Sequence, residues 1–288
     1  MADLDFLRFV IELIYRKFDF VMKKYHFLVG APRSGNTVIS SVLNQNRMIC
    51  LTAQSPLCET LYSLDKWKKE GFVGKVLGNF PDNKSYNNII KNLFDSYYSD
   101  WDQDIIFDRS PWGNSFNIAL LEKYFDFEFK FLLIRRNLVD IFASYMKWCE
   151  ENPNNFINEA TNCGSVDEKY DYLFESDGNI AKNMRSIADI RGSNYFWHEI
   201  FYDDFINHPE DTVRNFYNAF GIDEYKHDFN NISQLKTNGI TYNDDIYGNN
   251  MHKLRPVLKR DIYDVEKYVP SHLIKRMEEL ERIVFGYK

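Results

Sequence analysis

The run Tyr25–Leu43, YHFLVGAPRSGNTVISSVL, constrains the fold more than any other part of the chain. An apolar strand enters Gly30-Ala-Pro-Arg-Ser-Gly35-Asn-Thr37 and continues as an amphipathic helix. A glycine-bearing turn leaves backbone N–H groups unshielded, and the helix that follows aims the positive end of its dipole at the same place. An oxyanion is therefore expected at Ser34–Thr37. Strand, turn and helix in that order also open an α/β alternation.

The 288 residues can bury one sizeable core, and no repeat or low-complexity linker divides them, so a single domain over 1–288 is expected. A formal charge of −7 argues against a nucleic-acid partner, so any polyanion site must be a local basic pocket. Cys50, Cys58, Cys149 and Cys163 form no C-x-x-C pair and have no histidine at metal-ligand spacing. Free buried thiols are expected, with no metal. Residues 1–24 read as an amphipathic helix packed on the domain. Leu4, Leu7, Ile11, Ile14, Phe18 and Val21 are apolar, but Asp3, Asp5, Arg8 and Glu12 exclude a membrane span.

Short apolar runs suited to buried parallel strands occur at His26–Val29, Ile105–Phe107, Phe129–Ile134 and Tyr195–Tyr202. Helices are predicted after Gly35, over about Tyr86–Tyr98, over Leu138–Trp148, from Pro209 to a stop at Gly221, and from His272 to near Gly286. Two polar stretches, Glu150–Ser165 and Asp228–His252, are long for connectors. Segments 150–190 and 228–252 are expected to act as lids or substrate-facing elements, the alternative being disorder.

The spacing Gly30-x4-Gly35-x-Thr37 matches a Walker A loop, except that Asn36 stands where the phosphate-gripping lysine belongs. The strong cation is Arg33, inside the turn. In this the segment resembles the G-x-P-R-S-G-[TN]-[TS] loop of sulfotransferases, which binds the 5′-phosphosulfate of 3′-phosphoadenosine 5′-phosphosulfate (PAPS). That resemblance implies a three-layer α/β fold of P-loop type, with a mainly parallel sheet flanked by helices. It also implies sulfuryl transfer from PAPS to a hydroxyl or amine acceptor, leaving PAP, without a metal. Arg33 would hold charge on the bridging oxygen and 5′-phosphate, with Ser34, Gly35, Asn36 and Thr37 as further donors. Members of the secretory pathway carry an upstream membrane anchor, for which this chain has no room, so a cytoplasmic location is expected.

Further motifs follow in the family's order. Phe131-Leu-Leu-Ile-Arg135-Arg136-Asn137 leads to Ser144, eight residues after Arg136, and resembles the R-[DN]-x(6)-S segment that grips the 3′-phosphate. Ser144 lies about two helical turns, ~10–12 Å, from the strand end, within reach of a guanidinium that curls back. Arg135 points to the other side of an extended chain. In Ile105-Ile-Phe-Asp108-Arg109-Ser110-Pro111, Arg109 falls on the basic residue that contacts the sulfuryl group in tyrosylprotein sulfotransferases and their relatives. Asp108 reads either as a Mg²⁺-binding carboxylate or as a partner of Arg109, and the second is favoured. Tyr202 matches the tyrosine bordering the adenine, or is a plain core tyrosine. Lys253 and Arg255, in His252-Lys-Leu-Arg-Pro256, resemble the basic segment that closes over the phosphates.

The acceptor needs a general base. The glutamate that takes the proton in tyrosylprotein sulfotransferases aligns here with Gln54, which cannot serve. Glu59, in Ser55-Pro-Leu-Cys-Glu59-Thr, resembles the position used by glycan-modifying members; it reads equally as an acidic residue favoured at a helix start. The acceptor class stays open among glycan, peptide, lipid and small molecule. Two other readings stand beside this one: a P-loop nucleoside or nucleotide kinase, and a PAP(S)-binding protein without catalysis.

Overall fold

The computed structural model describes residues 23–175, 177–242, 251–260 and 264–286. The expected N-terminal helix lies outside them for all but its last two residues. Strands β1 (Lys24–Gly30), β2 (Ile49–Leu51), β3 (Ile105–Arg109), β4 (Phe131–Arg135) and β5 (Trp197–Phe201) form a parallel sheet in the order β2-β3-β1-β4-β5. The alternation along β1 explains the layers. Tyr25, Phe27 and Val29 enter one buried apolar cluster and Leu28 enters the other, so β1 is covered on both faces.

Helices α1 (Asn36–Leu43), α2 (Leu57–Lys69), α3 (Gly71–Asn79), α4 (Asn83–Lys91), α5 (Leu93–Tyr97), α6 (Ser115–Tyr124) and α7 (Leu138–Glu151) come first. They are followed by α8 (Phe156–Ala160), α9 (Val166–Phe174), α10 (Asn179–Arg191), α11 (Tyr202–Asn207), α12 (Pro209–Phe220), α13 (Val265–Tyr268) and α14 (Ser271–Phe285). Ile39 and Val42 of α1, Phe205 of α11 and Phe216 of α12 cover one face of the sheet. Leu61 of α2, Phe142 of α7, Ile187 of α10 and Met277 of α14 cover the other. The result is the expected α/β sandwich of three layers.

The differences from the sequence reading are local. Strand β2 has only three residues, too few for a periodic signal, yet Ile49, Cys50 and Leu51 are all buried against β3. The helix expected over Tyr86–Tyr98 is two helices, broken at Asn92. Three of the cysteines are buried, whereas Cys163 is exposed. The segment 150–165 folds locally: Asn155 Oδ1 accepts from the amides of Ile157 and Asn158, both at 2.9 Å, and starts α8. In 228–242, β6 (Lys236–Thr237) and β7 (Ile240–Thr241) make a small hairpin, anchored by buried Ile232 and Leu235; residues 243–250 lie outside the described residues. Among the described residues no helix is long and apolar enough to cross a membrane.

In a parallel sheet all carboxyl ends point one way, and the crevice opens where successive connections leave in opposite directions. Here that place is the end of β1. The chain leaves β1 for β2 on one side of the sheet, and β4 and β5 lie on the other.

Asp65 fastens α2 to α6 beneath this edge. Its buried carboxylate takes Lys123 Nζ at 2.5 Å, Lys69 Nζ at 2.6 Å and the Tyr124 hydroxyl at 2.6 Å. Burial alone would raise its pKa, but the bonds from Lys123, Lys69 and Tyr124 outweigh that and hold it well below the usual carboxylate range. A depressed folded pKa contributes stability above the ordinary value of 3.8 and loses it as pH falls through the folded value. Asp65→Asn should therefore destabilise by about 1.5–3 kcal/mol near neutral pH. Urea unfolding checks this: the gap to the parent should narrow below about pH 3, and a gap independent of pH would refute the ionic account.

Candidate functional site

The turn after β1 is braced by its own polar groups. The Ser34 amide and hydroxyl both donate to the Ala31 carbonyl, at 3.2 and 2.6 Å, and Asn36 Nδ2 donates to the same oxygen at 2.8 Å. Ser34 and Asn36 thus spend their side-chain donors on the turn, which differs from the expectation that they face a ligand. Arg33 and Gly35 both have positive φ, 69° and 94°. Gly35 is required twice over, since a Cβ there would lie 2.3 Å from Tyr202 Cδ2. Helix α1 starts at once, with no acidic residue in its first turn and no side-chain cap on its amides.

Two further elements bring cations to this turn. Arg136, at the end of β4, is buried; its guanidinium lies 4.4 Å from the Tyr202 ring centroid and donates to the Arg33 carbonyl at 3.2 Å. Arg33 Nε donates to Ser144 Oγ at 3.0 Å, and Arg33 Nη1 donates to the Met251 carbonyl. Arg109, at the end of β3, is held by its amide on Thr52 Oγ1 at 2.8 Å and by Nη1 on the Ala53 carbonyl at 3.2 Å.

One cavity gathers most of the residues singled out from sequence. Arg33, Gly35, Asn36 and Thr37 line it from the turn. Arg109, Arg136, Ser144, Tyr202 and Lys253 line it from five other segments, joined by Arg255 and Lys259. Among the described residues no carboxylate lines it, although the chain as a whole carries −7. Asp140 lies just behind, 4.0 Å from Arg136 and 3.3 Å from Arg260. The arrangement suits a ligand with several phosphate-like groups.

A second cavity adjoins the first and shares Pro32, Arg109, Met251 and His252 with it. Gln54, Tyr145, Phe156 and Tyr242 add to its wall. Glu59 is not brought to either cavity: it sits exposed on the first turn of α2. Asp108 is turned into the core, where it accepts from the Tyr98 hydroxyl and from Trp112 Nε1 at 2.6 Å. Its bonds therefore run to the core aromatics, in place of the expected pairing with Arg109, and burial pushes its pKa up. Arg135 takes the opposite side of β4 and pairs with Glu199 at 2.9 Å. The sequence reading gives Lys259 no role and weighs the six histidines only as a rival class of base, none of them in the Arg109 segment; His252 and Lys259 both line the cavity and flank the basic Lys253–Arg255 cluster.

Comparisons with known proteins bear on the family and the fold. A profile described as "Sulfotransferase family" matches residues 26–227. No curated protein sequence matches the chain. Among solved structures, the sulfotransferase domain of the Synechococcus PCC 7002 olefin synthase is 16% identical, with a TM-score of 0.52 over 94% of this chain and 97% of that one. Mouse sulfotransferase SULT7A1, crystallised with PAP, is 12% identical, with a TM-score of 0.50 over 91% of this chain and 84% of that one. At these identities the likeness is one of fold.

The Gly35 geometry yields a direct test. Gly35→Ala adds left-handed strain of about 1–2 kcal/mol and drives a methyl into the Tyr202 ring. We expect a lower melting temperature together with a shift in Tyr202 environment, read by side-chain NMR of labelled tyrosine. An unchanged Tyr202 signal would show that the turn does not depend on the missing Cβ.

Proposed function

The chain belongs to the sulfotransferase family and is a sulfotransferase-family enzyme, and from that premise we propose that the first cavity holds PAPS through the residues named above. One observation carries this reading: six cationic side chains, brought from four stretches of the chain, line a single cavity that begins at the phosphate turn and has no carboxylate among the described residues of its wall. When bound, PAPS supplies an activated sulfuryl group, and its transfer to an acceptor hydroxyl or amine leaves PAP. The α1 amides and Thr37 bind the 5′-phosphate side. Arg33, fixed by Ser144 and the Met251 carbonyl, meets the charge that grows on the bridging oxygen. Arg109 holds the sulfuryl oxygens, and Arg136 with Ser144 binds the 3′-phosphate. Tyr202 backs Arg136 and closes the nucleotide side, while Lys253 covers the phosphates from the C-terminal segment. The acceptor enters beside Arg109.

The kinase reading loses support on two counts. Asn36 replaces the lysine and uses its amide on the turn, and Asp108 is engaged by Tyr98 and Trp112 inside the core. Calorimetry separates the readings: PAP should bind with or without EDTA, and ATP should not compete with it. Magnesium-dependent ATP binding in preference to PAP would reverse the assignment.

Two substitutions test the roles. Arg136→Ala and Ser144→Ala should each weaken PAP by about 1.5–3 kcal/mol and adenosine 5′-phosphosulfate, which lacks the 3′-phosphate, far less; equal losses would remove both residues from that phosphate. Arg33→Ala should lower turnover at saturating donor by about 2–4 kcal/mol of barrier. An increase in donor requirement alone would reassign Arg33 to ground-state binding.

A further inference from the structure

Between α2 and α4 the chain makes an excursion that packing does not explain. Helix α3, GFVGKVLGN, has no buried residue, and among the described residues no side chain caps its first amides. Phe72 and Val76, one turn apart on one face, are 80% and 43% exposed, and Phe80, at the helix end, is 69% exposed. Three glycines lower the helicity further. Gly71 and Gly74 serve the turn off α2, where Gly71 has φ 66° and a Cβ on Gly74 would lie 3.0 Å from the Lys69 carbonyl carbon. A Cβ on Gly78 would meet nothing within 4 Å. Helices this short draw their stability from burying an apolar face, and the apolar face of α3 points to solvent.

The base of the excursion is closed. Lys68 Nζ donates to Asn87 Oδ1 at 2.9 Å and the Tyr86 hydroxyl donates to the Leu64 carbonyl at 3.0 Å, so α4 is tied to the end of α2 and α3 stands out between them. The stretch is also basic. Residues 66–91 hold Lys66, Lys68, Lys69, Lys75, Lys84 and Lys91 against Glu70 and Asp82, in a chain that carries −7. All of these lysines are exposed except Lys68, which is half-buried. An apolar stripe among lysines suits the headgroup layer of an anionic bilayer, with the rings among acyl chains and the ammonium groups among lipid phosphates.

We infer that α3 anchors the protein to an anionic membrane surface: Phe72, Val76 and Phe80 enter the bilayer interface while the flanking lysines meet its headgroups. A second copy of the chain fits less well. The three side chains offer roughly 300–400 Å² of apolar area, about half of the ~800 Å² a side that a standard interface buries, and a two-fold contact would set lysines against lysines. The anchor is also remote from the donor cavity. Helices α2 and α6 both leave the carboxyl edge of the sheet, after β2 and β3, and Asp65 joins their far ends through Lys69, Lys123 and Tyr124. Since α3 follows at that far end, anchoring leaves the donor cavity open and does not depend on what it binds.

Sedimentation with vesicles tests the anchor. The protein should pellet with phosphatidylcholine–phosphatidylserine vesicles about tenfold or more better than with phosphatidylcholine alone, and less as salt rises. Phe72→Ser combined with Phe80→Ser should weaken binding about tenfold or more, as should Lys75→Glu combined with Lys84→Glu. Gly78→Ala, which adds a methyl in open space, should hold or tighten it. Hydrogen exchange over residues 71–80 should slow on the vesicles. All five positions are exposed, so the variants should keep the parent's melting temperature and PAP affinity. Anionic vesicles left unbound, equal binding to neutral ones, variants that bind as the parent does, or protection confined to other segments would overturn the anchor. So would a parent dimer that the serine substitutions split. Failure of the parent to bind PAP would sink the donor reading and leave the anchor standing.

Discussion

Like charges gathered at one edge of a sheet repel one another, and the way this chain tolerates that repulsion determines the rest of its architecture. Arg33, Arg109, Arg136, Lys253, Arg255 and Lys259 share one cavity wall. Neutralising them with carboxylates would cancel the field that an anionic ligand requires. Among the described residues the fold supplies acceptors that carry no net charge. Backbone oxygens of Arg33, Ala53 and Met251 each take a guanidinium proton, Ser144 takes another, and the Tyr202 face lies against Arg136. Asp140 stays one step behind the wall, close enough to temper Arg136 and too far to replace a phosphate. Among the described residues, an acidic protein keeps a basic pocket by holding its acidic groups out of that wall.

Period-two alternation decides which charges reach the edge. On β3, Asp108 and Arg109 are neighbours in sequence and point to opposite faces, so the acid meets Tyr98 and Trp112 while the arginine meets the cavity. On β4, Arg135 and Arg136 divide in the same way: Arg135 goes to Glu199 and the Phe285 ring, Arg136 to the turn. Each strand therefore ends in one structural and one cavity-facing group. A one-residue slip in register would exchange them, burying an arginine where an aspartate now accepts two hydrogen bonds.

What could be read from sequence follows the same division. The strand-turn-helix, the two arginines at strand ends, Ser144 and the caps at Gly221 and Gly286 rest on local spacing, and local spacing survives folding. Strand β2 did not announce itself because its stability comes from burial against β3, a contact of long sequence separation. The side chains of Ser34 and Asn36 were taken for ligand donors because their residue types allow it. Only the turn's conformation shows that the Ala31 carbonyl already claims them. Glu59 carried a motif resemblance, yet the first turn of α2 leaves it facing away from both cavities.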